Sequence, residues 1–181
     1  MKTESNVMHI IRLAATLLII TSVVAAALAG VNAITAPTIA RLTAEKTQKA
    51  IEAVLPGGGE EIDFVPAELV SRVYRGEKGY AIEVTPAGFD NTITMMVGID
   101  TGGKVLGIDI ISHTETAGLG AVADAETPAG QNFRGQFAGA GGNVAVTKDG
   151  GSMDAITGAT ITSRAICDGV NAALACAANL G

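Results

Sequence analysis

The sequence predicts an α+β fold, in which a single N-terminal transmembrane helix precedes an antiparallel-sheet domain that ends in a C-terminal helix. Three observations predict it. A run of 19 uncharged residues lies near the start, four strand-like segments occupy the middle, and an amphipathic segment closes the chain. Consecutive strands flanked by helices are typical of an α+β domain.

The composition limits the classes of partner. The chain has a net charge of −6 and 3% aromatic residues, so it lacks the basic surface and the stacking side chains of nucleic-acid-binding proteins. A hydrophobic content of 48% is too high for a disordered chain. Two cysteines are too few for a disulfide framework. We therefore expect proteins or small molecules, not nucleic acid, as partners.

The predicted membrane anchor contains the uncharged run from Leu13 to Val31, which at about 1.5 Å per residue spans a hydrocarbon core of roughly 30 Å. Lys2 and Arg12 precede this run, and no charge follows it until Arg41. By the positive-inside rule the N-terminus is cytoplasmic. We expect a single-pass protein of the inner (cytoplasmic) membrane, with residues 1–12 cytoplasmic, a transmembrane helix over 13–36 and the C-terminal domain on the extracytoplasmic side.

A cleaved signal peptide is the alternative, because small residues at Ala25–Ala27 and Ala29 resemble a cleavage site. The length of the uncharged run favours a retained anchor, since the apolar core of a signal peptide usually has about 7–15 residues. A buried core helix is disfavoured because the run has no polar face.

A polar helix is predicted over Ala40–Leu55, where Ala50, Ile51, Val54 and Leu55 can share one face with Leu42. Pro56 and the three glycines after it end this helix. We interpret residues 37–58 as a helical stalk and residues 59–181 as the extracytoplasmic domain.

The predicted sheet has four strands, at Glu68–Arg75, Gly79–Thr85, Thr92–Asp100 and Lys104–Ser112. The segment Thr101–Gly103 predicts a hairpin between the last two, because its glycines accept positive φ. In the fourth strand Leu106, Ile108 and Ile110 alternate with the mixed set Val105, Gly107, Asp109 and Ile111, so we expect the first three side chains on the buried face.

The segment from His113 to Gly151 has no clean periodicity, apart from a short strand candidate at Val144–Thr147. The C-terminal helix is predicted over Ile161–Leu180. Its apolar face is expected to include Ile161, Ala165, Ile166, Ala173, Cys176, Ala177 and Leu180, and its polar face Arg164, Asp168, Asn171 and Asn179.

A tight turn opening into this helix is the most informative motif, and it runs from Asp154 to Ser163. Its glycine and alanine leave the backbone uncovered, and free N–H groups at a helix N-terminus favour a phosphate. The plainer interpretation is a helix whose start is capped by one of the Ser or Thr hydroxyls.

The residues Asp154, Thr157, Gly158, Ala159 and Thr160 resemble the flavinylation motif, Asp-x-x-Thr-Gly-Ala-Thr, of the FMN-binding domain family. The resemblance implies that Thr160 carries covalent FMN through a phosphoester bond, installed by a flavin transferase that uses FAD and Mg²⁺. Ile161 and Thr162 then open the helix beside the phosphate. A Thr hydroxyl is a poor nucleophile unless it is activated, and the transferase would supply that activation.

A second loop, His113–Gly120, resembles the His-x-Glu-Thr-Pro-Gly-Leu-Gly loop of the G subunits of Rnf complexes, with Ala117 in the place of proline. The resemblance implies that Glu115, Thr116, Gly118 and Leu119 line the flavin ring. His113 is a candidate proton donor to reduced flavin. With Glu115 it makes only two potential metal ligands, so we expect no metal site.

The resemblance to this family implies an electron-carrier component of a membrane ion-translocating ferredoxin:NAD oxidoreductase, active within that complex as a redox subunit and not alone. Its implied partners are the other membrane subunits and, during maturation, the flavin transferase. Three alternatives stay open: the C subunit of a Na⁺-translocating NADH:quinone reductase, a stand-alone extracytoplasmic flavin reductase, and an FMN-free structural or sensory subunit.

Overall fold

The computed structural model describes residues 2–180, with side chains from Met8 onward. Three α-helices and five strands form the framework, and two 3₁₀ helices, Gly120–Ala123 and Thr147–Asp149, lie between them. In chain order these helices and strands are α1 (Lys2–Val54), β1 (Glu60–Ile62), β2 (Val70–Gly76), β3 (Gly79–Val84), β4 (Thr94–Asp100), β5 (Val105–Ser112), α2 (Pro128–Gly135) and α3 (Thr160–Ala178). This is the predicted α+β architecture.

The chain divides into two compact units, and the first extends to Ala44. It is the N-terminal part of α1, whose side chains are exposed from Met8 to Ala44 and whose helix continues through Pro37. The hydroxyls of Thr16, Thr21 and Thr35 donate to carbonyl oxygens one turn earlier in the helix, so these polar groups are satisfied without water. The helix is long and apolar enough to cross a membrane.

The second unit begins at Glu45, inside the segment that the sequence assigned to the stalk. Ala50, Ile51 and Val54, on the predicted apolar face of that helix, are buried there. With Leu55 they form a cluster on one face of the sheet together with Tyr74, Ala81, Met96 and Ile111. A Cβ at Gly98 would overlap the backbone of Val54, so this glycine permits the close approach of α1 to β4.

The sheet is antiparallel throughout, and its strands lie in the order β1-β2-β3-β4-β5. All four predicted strands are present, and β1 is an edge strand of three residues that the sequence did not reveal. In the β4–β5 hairpin, Asp100 Oδ1 accepts from the backbone N–H groups of Gly102 and Lys104, each at 2.8 Å. Gly103 has φ +76°, as the hairpin prediction required of a glycine.

The predicted burial of Leu106 is wrong. Ile99 pairs with Val105 while Gly98 pairs with Gly107, so Leu106 is the extra residue of a β-bulge. A bulge shifts the alternation of side chains by one position, and Leu106 is exposed while Val105 is buried. Beyond the bulge, Ile108 and Ile110 point into the core as expected.

Helix α3 contributes to a core on the opposite face of the sheet from α1. The predicted burial of Ile161 is wrong, because Thr160 and Ile161 lie in the first turn, at the rim of the core. Asn171, which was predicted on the polar face, is half-buried. Its side-chain amide forms two hydrogen bonds of 2.8 Å with the backbone of Val144. The core contains Val73, Ile82, Val84, Ile93, Met95, Val97, Ile99, Phe133, Phe137, Ala165, Ile166, Cys167, Val170, Ala173 and Cys176.

The region after β5 contains elements that the sequence did not predict. Helix α2 starts behind Thr127, whose hydroxyl accepts from the backbone N–H of Gly130 at 3.4 Å, and Pro128 takes the first helical position. The strand expected at Val144–Thr147 reduces to one parallel bridge between Val146 and Met153.

Asp109→Asn is expected to raise the free energy of unfolding near neutral pH. Burial raises the pKa of this carboxyl in β5, and Arg134 opposes that rise only in part. A carboxyl whose folded-state pKa lies above its unfolded value binds more protons when folded, so stability falls as pH rises through that window. The gain is therefore largest near neutral pH and disappears below the ordinary aspartate pKa of 3.8.

Thermal unfolding of the full chain in detergent at pH 7 and at about pH 3.5 measures this difference. Asp63→Asn, which changes an exposed aspartate between β1 and β2, is the control and should leave Tm unchanged. A lower Tm for Asp109→Asn at pH 7 would contradict the assignment of a burial cost to this carboxylate.

Candidate functional site

A cleft of about 280 Å³ opens between the first turn of α3, the loop after β5 and the connection between β3 and β4. Most of the residues predicted for the site line it: Glu115, Thr116, Leu119, Gly158, Ala159, Thr160, Ile161 and Thr162. Phe89, Gly120 and Lys148 complete the lining. The cleft thus brings together two loops that the sequence indicated separately.

A tight turn places Thr160 at the edge of the cleft. The backbone N–H of Ala159 donates to the Ile156 carbonyl at 2.9 Å, and Gly158 has φ +77°, which only glycine adopts without strain. Ser163 supports the turn from inside the helix. Its hydroxyl accepts from Ile156 N–H and donates to the Ala159 carbonyl, both at 3.0 Å.

Helix α3 starts at Thr160 without a capping side chain. Its N-cap is Ala159, and within the described residues no side chain accepts from the first-turn N–H groups, nor does that turn contain an acidic residue. The plainer interpretation of the motif, a start of α3 that is capped by a Ser or Thr hydroxyl, is therefore wrong. An N-terminus with unpaired N–H groups and the positive end of the helix dipole suits an anion.

Lys148 lies beside the Thr160 hydroxyl, and its Nζ donates to Thr160 Oγ1 at 3.2 Å. The lysine side chain is exposed. Its neighbour Asp149 accepts two hydrogen bonds from the Arg164 guanidinium, at 2.6 and 2.7 Å. This pairing lowers the pKa of Asp149 and raises that of Arg164, and it ties the lysine-bearing segment to α3.

The carboxylate of Glu115 connects three walls of the cleft, and the residue is only 8% exposed. One oxygen, Oε1, accepts from the backbone N–H groups of Phe89 at 2.8 Å and Asp90 at 3.3 Å. The other, Oε2, accepts from the hydroxyl of Thr162 at 2.6 Å. Buried charges need such partners, because an unpaired carboxylate away from water costs several kcal/mol.

Two glycines make room for this carboxylate. A Cβ at Gly88 would overlap Glu115 Oε1, and a Cβ at Gly120 would overlap Oε2 and press on the Thr162 hydroxyl. Both glycines are at ordinary φ, so space and not backbone conformation selects them. Glu115, which the resemblance implied as a residue lining the flavin ring, thus has a structural role in the walls of the cleft.

Three apolar side chains surround the mouth of the cleft: Phe89 at 66%, Leu119 at 43% and Ile161 at 50% exposure. Large apolar side chains are rarely this exposed without a partner when they cluster. The cleft therefore combines an apolar mouth with a helix end that suits an anion.

Four predicted residues lie outside the cleft lining. His113 accepts the backbone N–H of Glu115 on Nδ1 at 3.1 Å, and its Nε2 lies 3.7 Å from a carboxylate oxygen of Asp124, so it stabilises the start of the loop. Asp154, Thr157 and Gly118 instead line a neighbouring cleft of about 540 Å³.

The side chain of Asp154 is exposed, and its backbone makes two hydrogen bonds. Its N–H donates to Gln136 Oε1 at 2.7 Å, and its carbonyl accepts from Gln136 Nε2 at 3.2 Å. The exposed carboxylate is open to another protein. In the described part of the chain, no three His, Cys, Asp or Glu residues are grouped so that they could hold a metal.

Comparison with known proteins gives consistent matches. The FMN-binding domain family matches residues 88–175. The G subunit of the ion-translocating oxidoreductase complex of Methanosarcina acetivorans is 31% identical, over 94% of this chain and 95% of that protein. The protein of the same name from Yersinia pestis is 38% identical, over 80% and 79%. The G subunit of the Na⁺-translocating ferredoxin:NAD⁺ oxidoreductase complex of Acetobacterium woodii is 31% identical, over 94% and 93%.

Glu115→Gln is expected to destabilise the domain by about 1–3 kcal/mol, because the neutral amide weakens the charge-assisted hydrogen bonds at this residue. In addition, its Nε2 can pair with the Thr162 hydroxyl only if that hydroxyl becomes the acceptor. The Tm of the full chain measures the loss. Glu126→Gln is the control, since the side chain of Glu126 is 83% exposed and its ion pair with Arg134 contributes little.

The same measurement on Thr162→Val and on the double variant tests the contact itself. Residues that share a hydrogen bond lose less together than the sum of their separate losses. Additive losses, or a Tm for Glu115→Gln equal to that of the control, would contradict the bridging role.

Proposed function

Since the chain belongs to the family of G subunits of ion-translocating oxidoreductase complexes, we propose that it is a redox subunit that carries electrons through FMN attached covalently to Thr160. The match to the FMN-binding domain family supports the cofactor, and the matched residues include every residue that lines the cleft. The protein acts within a membrane complex and is not expected to turn over a substrate alone.

The hydroxyl of Thr160 is the observation that carries this proposal. It lies at the first residue of a helix without a capping side chain, and the ammonium of Lys148 lies 3.2 Å from it. A phosphate on this oxygen would meet unpaired N–H groups, the positive end of a helix dipole and a cation. Each of these groups stabilises the negative charge of a phosphodiester.

The residues present also fit the ring of FMN. When bound, FMN supplies reversible electron transfer, which no side chain of this chain provides. Phe89, Leu119 and Ile161 offer the apolar surface on which a flat ring binds, and Thr116 adds a polar group at the same cleft. Gly158 and Ala159, whose side chains are small, line the adjoining part of the cleft. Glu115 keeps the cleft walls in place, and His113 and Gly118 shape the loop that bears Leu119.

Covalent attachment suits a carrier outside the cell, where a dissociable flavin would be lost. The attachment is the task of a flavin transferase, so no base is needed beside Thr160. The exposed carboxylate of Asp154 and the neighbouring Thr157 lie on the outside of the same turn, where a transferase can contact them. We propose this surface as the part of the motif that the enzyme reads.

The remaining partners are the other membrane subunits, which the long apolar helix can contact within the bilayer. Lys2 and Arg12, which precede the uncharged run, support a cytoplasmic N-terminus of residues 1–12 and an extracytoplasmic domain. The relatives named above favour the G subunit of such a complex over the C subunit of a quinone reductase. The uncapped helix end favours a phosphate site over an FMN-free structural role.

Mass spectrometry tests the attachment. The full chain, coproduced with the flavin transferase, should carry the mass of FMN less one water on the peptide that contains Thr160, and in-gel flavin fluorescence should survive denaturation. Thr160→Ala should abolish both signals. Thr101→Ala, which changes an exposed threonine of the β4–β5 hairpin, is the control and should retain them. An unmodified Thr160 peptide in cells that contain an active transferase would overturn covalent attachment.

Cysteine labelling tests the sidedness. Both native cysteines are buried, so Thr101→Cys and His9→Cys each add one exposed thiol. A membrane-impermeant maleimide should label Thr101→Cys in intact cells whose outer layers are permeable to it, and His9→Cys only after lysis. Labelling in the reverse order would place the domain in the cytoplasm.

A further inference from the structure

We propose that Lys148 is the charge partner of the phosphodiester on Thr160, and that the pair formed by Asp149 and Arg164 keeps this lysine in place. The inference rests on the proposed function, because it takes Thr160 as the point of attachment. It goes further by assigning the cation that the site uses and the contact that positions it.

The distance between Lys148 Nζ and Thr160 Oγ1 is 3.2 Å. The oxygen of the hydroxyl becomes one of the two bridging oxygens of the phosphodiester, and the two non-bridging oxygens, which share one negative charge, lie one bond beyond it on phosphorus. A lysine ammonium has three donors on a flexible stem. It can therefore keep its place and bind a phosphate oxygen without any movement of the backbone.

No carboxylate competes for this ammonium at ion-pair distance among the residues that the structure describes. Asp149 is the nearest in sequence, and both of its oxygens accept from Arg164. Its negative charge is thereby balanced by the guanidinium. Lys148 is left with a hydroxyl as its hydrogen-bond partner, which an anion on the same oxygen would replace to advantage.

Arg164 is the other cation near the start of α3, four residues after Thr160. Its Nε and Nη2 are both occupied by Asp149 at 2.6 and 2.7 Å, and a bidentate pair of this kind fixes both side chains. The 3₁₀ helix Thr147–Asp149, which carries Lys148, is thus anchored to α3 one residue away from the lysine. Arg164 therefore holds the segment that carries Lys148 in place, and Lys148 binds the phosphate.

The proposal is tested by a thermodynamic cycle that compares flavinylated and unmodified protein, each with and without Lys148. The full chain is purified in detergent with and without coproduction of the flavin transferase, and mass spectrometry establishes complete modification of the first set. The quantity measured is the increase in Tm that attachment brings. For Lys148→Met this increase should be smaller than in wild type by about 1–3 °C at low salt.

The differences should shrink in 1 M NaCl, because salt screens exposed charges. Lys148→Arg should restore most of the increase. Lys78→Met, which removes an exposed lysine from the β2–β3 turn, is the matched control and should behave as wild type. Asp149→Asn keeps the lysine but weakens its anchor, so it should lose part of the increase.

An increase in Tm for Lys148→Met equal to that of wild type at low salt would overturn the proposal, and an unchanged Asp149→Asn would overturn the positioning role of the pair. The absence of flavin on wild-type Thr160 is a different result, because it refutes the proposed function itself. Since Lys148 is exposed, the unmodified variants should fold, and their own Tm values verify this.

Discussion

The buried carboxylate of Glu115 is the interaction on which the geometry of the site depends. Its partners lie far away in the chain, Phe89 by 26 residues and Thr162 by 47 residues, and each belongs to a different wall of the cleft. Burying a carboxylate costs free energy unless its oxygens are hydrogen-bonded. Glu115 can therefore be buried only because of the hydrogen bonds at 2.6 and 2.8 Å. Once it is paired, the two loops and the start of α3 can no longer move independently.

The rest of the domain holds these walls rigidly. The sheet is covered by α3 on one face and by the last turns of α1 on the other. The proposed attachment site lies where α3 begins, and the lysine segment is tied to the same helix by the contact between Asp149 and Arg164. A carrier that must present a redox group in one orientation benefits from such attachment to regular structure, since loosely held groups transfer electrons over variable distances.

Much of this could be predicted from the sequence, because the signals are local. The apolar run, the alternating strands and the helical period of α3 each follow from neighbouring residues. The features that were not predicted, or were predicted wrongly, have physical reasons. Strand β1 has three residues and no usable pattern, and the bulge at Leu106 arises from pairing with β4, which no single strand encodes.

The site shows the same limit. Its two loops were identified because each is a contiguous motif, yet their contact through Glu115 and Thr162 is tertiary. Phe89 and Lys148 carry no local signal, since they qualify only through what they face. Gly120 ends the second motif but was not among the predicted site residues. Gly88 is instructive, because the atom that requires it, Glu115 Oε1, belongs to a residue far along the chain. Helix α2, by contrast, has a local signal, because Thr127 is an N-cap residue and Pro128 takes the first helical position.

An experimental structure of the flavinylated domain, within the full chain or its complex, tests the account most directly. The account predicts a phosphodiester on Thr160 beside Lys148, and a ring against Phe89, Leu119 and Ile161, with the Glu115 carboxylate still bonded to Thr162. A ring in the neighbouring cleft beside Gln136, or a flavin attached to another residue, would contradict it.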